Sequence, residues 1–270
     1  MTSINTNVGA QVALADLSST QYSLNVTQNR ISTGLKVTGP QDDASDFSIA
    51  QGIRSDLKAF DAVQQSLSAG TGIVQTAIAG ATSVSNLLNT IKSKAIEASN
   101  PANTATQQSI LSNDFNAMIA QLNTFINNAV YNGRNLLSSN SVSVSVTSTI
   151  SGGQLTLNNA STLSTISATL SSGVTTTSAA LALLSTVDAQ QLIVGSALGS
   201  LGANANDLNF LTTFTKSLSD SVNQGLGALV DANLAQESAQ LQALQTKQQL
   251  GVQALSIANQ RPQIILSLFR

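Results

Sequence analysis

The sequence predicts a mostly α-helical protein, in which the N- and C-terminal segments form a long antiparallel coiled-coil bundle with a small β-hairpin insertion. Three observations lead to this fold class. Apolar residues recur at helical spacing near both ends, apolar heptads run through the interior, and an uncharged stretch at residues 135–187 separates the two halves. Because an apolar stripe with helical period requires a partner surface, the two halves are expected to pack on one another.

The first helix is predicted over residues 3–34, and Gly34 is the residue that ends it. Its apolar residues recur at helical spacing: Ile4, Val8, Val12, Leu17, Leu24 and Ile31. A single pair of thin helices makes a poor core. The partners of this stripe are therefore expected to include other copies of the chain.

A break at Gly39-Pro40 is followed by aspartates, which suit the N-terminus of a second helix. Charged residues cluster around the break: Arg30, Lys36, Asp42, Asp43, Asp46 and Arg54. Two interpretations stay open. The cluster is either an ion-pair spoke that holds two layers of helices in register, or a set of helix caps with solvated bases. Exposed ion pairs contribute only about 0–1 kcal/mol, which keeps the second interpretation open.

The second helix carries the strongest periodic signal in the chain. Its two apolar series are Phe60, Leu67, Val74, Ala81, Leu88 and Ala95, and Val63, Gly70, Ala77, Val84, Ile91 and Ala98. Such a seam is typical of a coiled coil, and Asn100-Pro101 is predicted to end it. A third helix is predicted over residues 107–130.

Residues 138–180 have a different character, because 22 of these 43 residues are Ser or Thr. Three valines alternate with them as in a β-strand: Val142, Val144 and Val146. A turn at residues 151–154 is predicted to lead into a second short strand at residues 155–157. We expect a hairpin and loop that form the exposed, variable part of the molecule.

Apolar heptads resume in a helix predicted over residues 181–230, which is expected to run antiparallel to the earlier helices. One series contains Val187, Val194, Leu201, Leu208, Thr215, Val222 and Leu229. The last helix, within residues 231–270, carries Leu234, Leu241, Leu244, Leu255, Leu266 and Leu268. The residues expected to carry an assembly seam are Leu17, Leu24, Ile31, Phe60, Leu67, Val74, Leu88, Ile91, Val194, Leu201, Leu208, Val222, Leu255, Leu266 and Leu268.

Charged and aromatic residues are unusually rare. Only 9% of the residues are charged and 3% are aromatic, against about 25% charged in typical globular proteins. Because charge keeps a free monomer soluble, this composition suits a subunit covered by neighbouring copies. The formal net charge of −2 provides no basic field for nucleic acid.

The chain contains no His and no Cys, which excludes disulfides and thiolate metal sites and removes the commonest general base. The sequence contains no recognisable nucleophile–base pair and no recognisable phosphate-binding loop. We therefore expect a protein that is not an enzyme and has no cofactor. No secretory signal and no run of 18 apolar residues is found, so no membrane insertion is expected.

Two long motifs resemble those of the bacterial flagellin family. Residues 30–50, RISTGLKVTGPQDDASDFSIA, are similar to its N-terminal signature, and residues 248–270, QQLGVQALSIANQRPQIILSLFR, are similar to its C-terminal ending, with Phe269 for the usual Leu. The resemblance covers roughly residues 1–135 and 185–270. It does not include the Ser- and Thr-rich middle.

The resemblance implies a structural subunit that self-assembles into the flagellar filament for motility. It implies secretion to the bacterial flagellum through the flagellar type III export apparatus, with a chaperone. The other implied partners are copies of the chain itself, the filament cap and hook-associated proteins, with no nucleic acid.

The resemblance also assigns segments to layers of the filament. Residues 1–41 and 231–270 would form an inner tube, residues 42–137 and 181–230 an outer tube, and residues 138–180 a surface insertion. The terminal segments would become ordered on assembly, as segments without a core of their own do.

Two other functions remain open from the sequence. A hook–filament junction protein shares its terminal helices with flagellin, and copy number would distinguish the two. A signalling coiled coil, also rich in Ala and Gln, would require membrane-spanning segments or a partner that carries them.

Residues 90–96 align with the flagellin segment recognised by the vertebrate innate-immune receptor, whose stimulating pattern is RVRELAV. Three positions depart from that pattern, because Thr90 replaces the first Arg, Ser93 the Glu and Lys94 the Leu. These changes remove a cation, an anion and an apolar contact. We therefore expect weak activation of that receptor.

Overall fold

The structure is a computed structural model that describes residues 6–139, 143–171 and 173–268, the last seven of these as backbone only. The elements follow in the order α1 (Val8–Thr33), α2 (Ala44–Ala98), α3 (Ala105–Asn128), β1 (Val144–Thr147), β2 (Gln154–Leu157), a 3₁₀ helix (Ser161–Thr165), α4 (Ile166–Leu170), α5 (Thr177–Val230) and α6 (Leu234–Leu268). The predicted fold class, a mostly α protein with a small antiparallel hairpin, is confirmed.

The chain divides into two compact units. The terminal unit comprises residues Met1–Ser55 and Ser221–Arg270, and the central unit comprises Asp56–Asp220. The divisions fall inside the long helices α2 and α5, so each of these helices contributes residues to both units.

Local capping interactions set the helix ends, and the predicted end of α1 at Gly34 is among them. Asn7 caps α1 by accepting a hydrogen bond from the backbone N–H of Ala10. Gly34 ends the helix with φ of 73°, a left-handed conformation that favours glycine. At the start of α3, Thr104 and Gln107 form a reciprocal capping box, which satisfies two backbone donors that the helix itself leaves unpaired.

The central unit has a continuous apolar core that α2, α3 and α5 share. Every residue of the two α2 series predicted from the heptad pattern is buried, from Phe60 and Val63 to Ala95 and Ala98. The α3 residues that pack in this core are Leu111, Phe115, Leu122 and Ile126. Small residues in the seam let the helices approach closely, as at Gly80, where an added Cβ would lie 2.7 Å from the Cβ of Ala129.

The α5 heptads point into the same core over the first part of the helix. Val187, Val194, Leu201 and Leu208 are fully buried. Asn204 is also buried, and its side chain donates to the backbone carbonyl of Asn158 at 2.9 Å and accepts from the backbone N–H of that residue at 3.3 Å. This amide pairs the segment after the hairpin with α5 without leaving a buried polar group unpaired.

The predicted hairpin is present, with Val144 opposite Leu157 and Thr147 opposite Gln154 in an antiparallel register. Val146 and Leu157 face the core, and Gly152, with φ of 84°, lies in the turn. Val142, which the alternation also assigned to the first strand, lies outside the described residues.

The segment after the hairpin differs from the exposed loop expected from its Ser and Thr content. It forms the 3₁₀ helix and α4, whose apolar residues Leu163, Ile166 and Leu170 are fully buried, as is Val174. Their spacing of three or four residues is a helical signal. The abundance of Ser and Thr, which are weak helix formers, concealed it.

Gly80→Ala is predicted to lower the free energy of unfolding of the central unit by about 1–3 kcal/mol, because the new methyl group overpacks the core. Its Cβ would also lie 2.9 Å from Cδ1 of Leu137. Gly202→Ala is the matched control, since no atom lies within 4 Å of an added Cβ there; this change is expected to stabilise the helix by about 0.5–1 kcal/mol. Urea unfolding of the two variants measures the difference, and equal effects would contradict the packing described.

Candidate assembly surfaces

Within the terminal unit, α1 and α6 form an antiparallel pair of helices. Polar contacts at three levels fix their register: the side chain of Asn7 donates to the carbonyl of Ala258 at 2.7 Å, Gln248 donates to the side chain of Gln21, and Arg30 pairs with Glu237. Where the chain leaves α1, the backbone N–H of Lys36 donates to the carbonyl of Val230 at 2.8 Å.

The apolar contact between α1 and α6 is thin. On α1 the buried residues are Thr20, Leu24 and Thr27, so Leu24 is the one large apolar side chain that this pairing covers. Leu17 is half-buried and packs close to Gly251, where an added Cβ would lie 3.3 Å from Cδ1 of Leu17. The remaining described seam residues of this unit are half-buried: Ile31, Val222 and Leu255.

Several large apolar residues of the two terminal helices remain exposed. Val8 and Val12 of α1 are 61% and 57% exposed, and Tyr22 is more so. On α6 the exposed apolar residues include Leu234, Leu250, Val252 and Ile257. Leu266 and Leu268, also predicted to carry the seam, lie outside the part of the chain whose side chains are described. The described part of the terminal unit thus leaves more large apolar residues uncovered than it buries.

Arg30 and Glu237 form the ion pair between the two terminal helices, with Nη1 of Arg30 3.2 Å from Oε1 of Glu237. The Glu237 side chain is 11% exposed and that of Arg30 34%. Nε of Arg30 and Oε2 of Glu237 are buried without a hydrogen-bond partner among the described residues. The role of Glu237 as an ion-pair partner was not predicted from the sequence. It is the only acidic residue of α6, and this isolated charge on a nearly uncharged helix was the signal that could have identified it.

Two of the predicted aspartates accept backbone hydrogen bonds, and of these Asp43 caps α2. Asp43 accepts from the backbone N–H groups of Ser45 and Asp46 at the start of α2. Asp42 accepts from both the hydroxyl and the backbone N–H of Thr38, and these bonds, with the hydroxyl contributing most, lower the pKa of Asp42. The stabilisation is therefore present above the ordinary pKa of 3.8 and is lost as the pH falls through the lowered value.

Of the two interpretations of the charged cluster, the ion-pair spoke has no support from the ion pairs between described residues. The ion pairs between described residues are Arg30–Glu237, Lys58–Asp61, Lys92–Asp188 and Lys94–Glu97. None of them joins Arg30, Lys36 or Arg54 to one of the predicted aspartates. Lys36, Asp42, Asp43 and Asp46 instead line, with Arg30 and Glu237, an open polar cleft of about 450 Å³.

The segment that departs from the receptor pattern lies on the surface of α2. Thr90 and Ser93 are exposed, and Lys94 is half-buried. A hydrogen bond to Glu97 raises the pKa of Lys94. The neighbouring Lys92 pairs with Asp188 of α5, so both lysines of the segment are engaged within the chain.

α5 combines a buried seam with an exposed apolar side. By length and composition alone, α5 is apolar enough to cross a membrane, since its most apolar 18-residue window has a mean hydropathy of 1.3. In the structure, 28% of that window is buried. The exposed residues include Leu192, Phe210 and Phe214.

The helical segments match two family models. One describes the bacterial flagellin N-terminal helical region and matches residues 4–142, and the other describes the bacterial flagellin C-terminal helical region and matches residues 184–269. The chain belongs to the bacterial flagellin family. The two matches leave out most of the hairpin segment.

Relatives of similar length support the assignment. Flagellin FljK of Caulobacter vibrioides is 37% identical over 272 residues, covering 100% of this chain and 99% of its own length. A flagellin of Brucella melitensis is also 37% identical, over 291 residues, with 100% of both chains covered.

Solved structures share the fold. A Bacillus cereus flagellin matches 56% of this chain and 88% of its own, with a TM-score of 0.52 and 20% identity. A Vibrio parahaemolyticus protein described as flagellar hook-associated matches 70% of this chain and 100% of its own, with a TM-score of 0.59 and 15% identity. At these identities the likeness concerns the fold alone.

This flagellin is therefore a structural protein, not an enzyme. It is a subunit of the bacterial flagellar filament, which it forms with copies of itself. The assembly role of the individual seam residues stays a prediction. Those in the central unit are buried within one chain, so other surfaces are available for contacts between copies.

Arg30→Met is predicted to weaken the pairing of α1 and α6 by about 1–3 kcal/mol, because it leaves the Glu237 carboxylate buried and unpaired. The double change Arg30→Met with Glu237→Met should recover part of that loss. Lys58→Met, which breaks the exposed pair with Asp61, serves as control and should change the stability by less than about 1 kcal/mol.

Hydrogen exchange of the α1 and α6 amides in the polymerised flagellin measures these effects. A double variant that exchanges as fast as Arg30→Met would contradict a direct coupling between the two side chains.

Proposed function

We propose that this flagellin polymerises through its terminal unit, which is completed by the terminal units of neighbouring copies. The observation that carries the proposal is the exposed apolar face of α1 and α6, where Val8, Val12 and Ile257 lie uncovered while Leu24 is buried. Covering such a face is favourable by about 25 cal/mol per Å² of apolar surface. Neighbouring copies can bury the apolar surface that a single pair of helices leaves exposed.

The proposal includes an assignment of layers. Residues 1–41 and 231–270 form the inner tube of the filament, residues 42–137 and 181–230 form the outer tube, and residues 138–180 face solvent. The contrast in burial supports this order, because the central unit buries its seam within the chain and the terminal helices do not. A non-closing contact between unlike surfaces then extends the assembly into a helical polymer.

The proposal also concerns export. The chain is secreted through the flagellar type III apparatus, delivered by a chaperone, and added beneath the filament cap. Because the terminal unit has a small core, it unfolds at a low cost in free energy. This property suits export of the protein as an extended chain. Appearance of the protein in the medium should require an intact flagellar export apparatus, and secretion without that apparatus would contradict this part.

Val8→Ser combined with Val12→Ser is predicted to raise the critical concentration for polymerisation at least about tenfold, because each change removes apolar surface from the contact between copies. Sedimentation and electron microscopy of salt-induced polymers measure the effect. Gln11→Ser, an equally exposed position of α1, is the matched control and should polymerise as the unchanged flagellin does. A double variant with an unchanged critical concentration would exclude this face from the polymer contacts.

The surface of α2 generates a prediction about immune recognition. Purified monomer should activate the flagellin receptor weakly in a reporter-cell assay, because Thr90, Ser93 and Lys94 lack the groups of the stimulating pattern. The combined changes Thr90→Arg, Ser93→Glu and Lys94→Leu should increase the response. A strong response to the unchanged monomer would refute the expectation.

A further inference from the structure

A tight turn after α3 contains the one non-glycine residue with a positive φ in the described part of the chain. Asn132 has φ of 48° and Gly133 has φ of 75°, which is the pattern of a type I′ turn, the turn that Asn-Gly favours. The flanking residues Tyr131 and Arg134 exchange two backbone hydrogen bonds, each of 2.9 Å. The sequence contains no other Asn-Gly pair, and the proposed assembly does not use this one.

The groups of this pair that can react with each other are free. All four residues of the turn are exposed. Neither the carboxamide of Asn132 nor the N–H of Gly133 has a hydrogen-bond partner among the described residues. Gly133 also has no side chain that would hinder its backbone nitrogen. The pair is therefore a chemically labile site, since asparagine is a residue that limits the lifetime of proteins at high temperature.

The reaction open to this pair is deamidation through a cyclic imide. The backbone nitrogen of Gly133 attacks Cγ of Asn132, and the new N–Cγ bond closes a five-membered succinimide ring. The Cγ–Nδ2 bond breaks, and ammonia leaves with the proton from the attacking amide. Water then adds to one of the two imide carbonyls, so that the ring opens to aspartate or to isoaspartate. No oxidant, reductant or cofactor is required.

The folded turn holds the reacting atoms apart. Ring closure requires the nitrogen of Gly133 to lie on the same side of the Cα–C bond of Asn132 as Cβ. In a type I′ turn, ψ of the first central residue is about +30°, which places this nitrogen nearly opposite to Cβ. The attack therefore requires a large rotation of the Asn132–Gly133 peptide, and this rotation opens the turn.

Contacts on both sides keep the turn closed. The ring of Tyr131 lies against α2 at Gly72, where an added Cβ would be 2.6 Å from Cζ of the ring. After the turn, the side chain of Asn135 donates to the carbonyl of Ile126 at 2.7 Å and accepts from the backbone N–H of Leu137 at 2.7 Å. Leu137 is fully buried. The turn is thus attached to α2 on one side and to the end of α3 on the other.

We propose that Asn132 is a site of spontaneous deamidation and isoaspartate formation, which the closed turn suppresses in the folded flagellin and which unfolding exposes. A chain that folds promptly keeps its asparagine, and a chain held unfolded is modified at this residue. Isoaspartate adds one carbon to the main chain of a two-residue turn, so a modified chain loses the pairing of Tyr131 with Arg134. The difference in rate between the two states depends neither on polymerisation nor on export.

The full-length monomer allows the two states to be compared directly. Native protein and protein in guanidinium chloride are incubated at the same mildly basic pH and temperature. Tandem mass spectrometry of the tryptic peptide 95–134 measures conversion of Asn132, and a methyltransferase specific for isoaspartate measures that product. The native rate should be at least about tenfold lower, because the turn must first open locally. Equal rates in the two states, or no conversion in guanidinium chloride, would overturn the proposal.

Two alanine variants of α2 test whether the turn itself controls the rate. Gly72→Ala should raise the native rate at least about fivefold, because its Cβ displaces the ring of Tyr131 at a cost of about 1–3 kcal/mol. Gly70→Ala is the matched control, since it is equally crowded but against Val146, whose Cγ2 would be 2.8 Å from the added Cβ. It should leave the native rate within about twofold of that of the unchanged protein.

The rates in guanidinium chloride separate chemistry from structure. They should be the same for both variants and the unchanged flagellin, because the Asn-Gly pair is the same in all three chains. Tyr131→Ala removes the ring without crowding α2, and it should raise the native rate in the same direction as Gly72→Ala. An unchanged native rate in Gly72→Ala, or equal acceleration by Gly70→Ala, would contradict control by the turn and overturn the proposal.

Discussion

The architecture depends on how much of each apolar helix face the chain covers by itself. In the central unit the seam is complete: Leu67, Leu88 and Leu201 are fully buried, and burial of each such side chain contributes about 1.5–3 kcal/mol. The terminal pair covers Leu24 and leaves Val12 and Ile257 exposed. One unit therefore has a core of its own, and we propose that the other obtains its core from further copies, so that this difference in burial favours polymerisation.

A small number of polar contacts fix how neighbouring elements are aligned in each of the two units. Asn204 joins the segment after the hairpin to α5, and the Arg30–Glu237 pair joins α1 to α6. Few of the remaining charges cross between elements, which explains how a chain with 9% charged residues still has a defined register. Apolar side chains such as Phe210 remain exposed among the described residues of the central unit.

The heptad pattern predicted the α2 seam and the first five α5 positions, through Thr215, because burial inside one chain imposes a regular period. The last two positions of the α5 series, Val222 and Leu229, are only half-buried. Leu163, Ile166 and Leu170 were missed because Ser and Thr around them weaken the helical signal. The aspartates near residue 42 were recognised as a charged cluster with two open interpretations, and the backbone N–H groups of Ser45 and Asp46 that donate to Asp43 favour capping over the ion-pair spoke.

The most direct test compares hydrogen exchange of the same flagellin as dilute monomer and as polymer. Amides of α1 and of residues 234–261 are expected to exchange rapidly in the monomer and to become protected in the polymer, while amides of the α2 and α5 seams are protected in both states. Protection of the terminal helices in the isolated monomer at the level of the central unit would contradict their dependence on neighbouring copies.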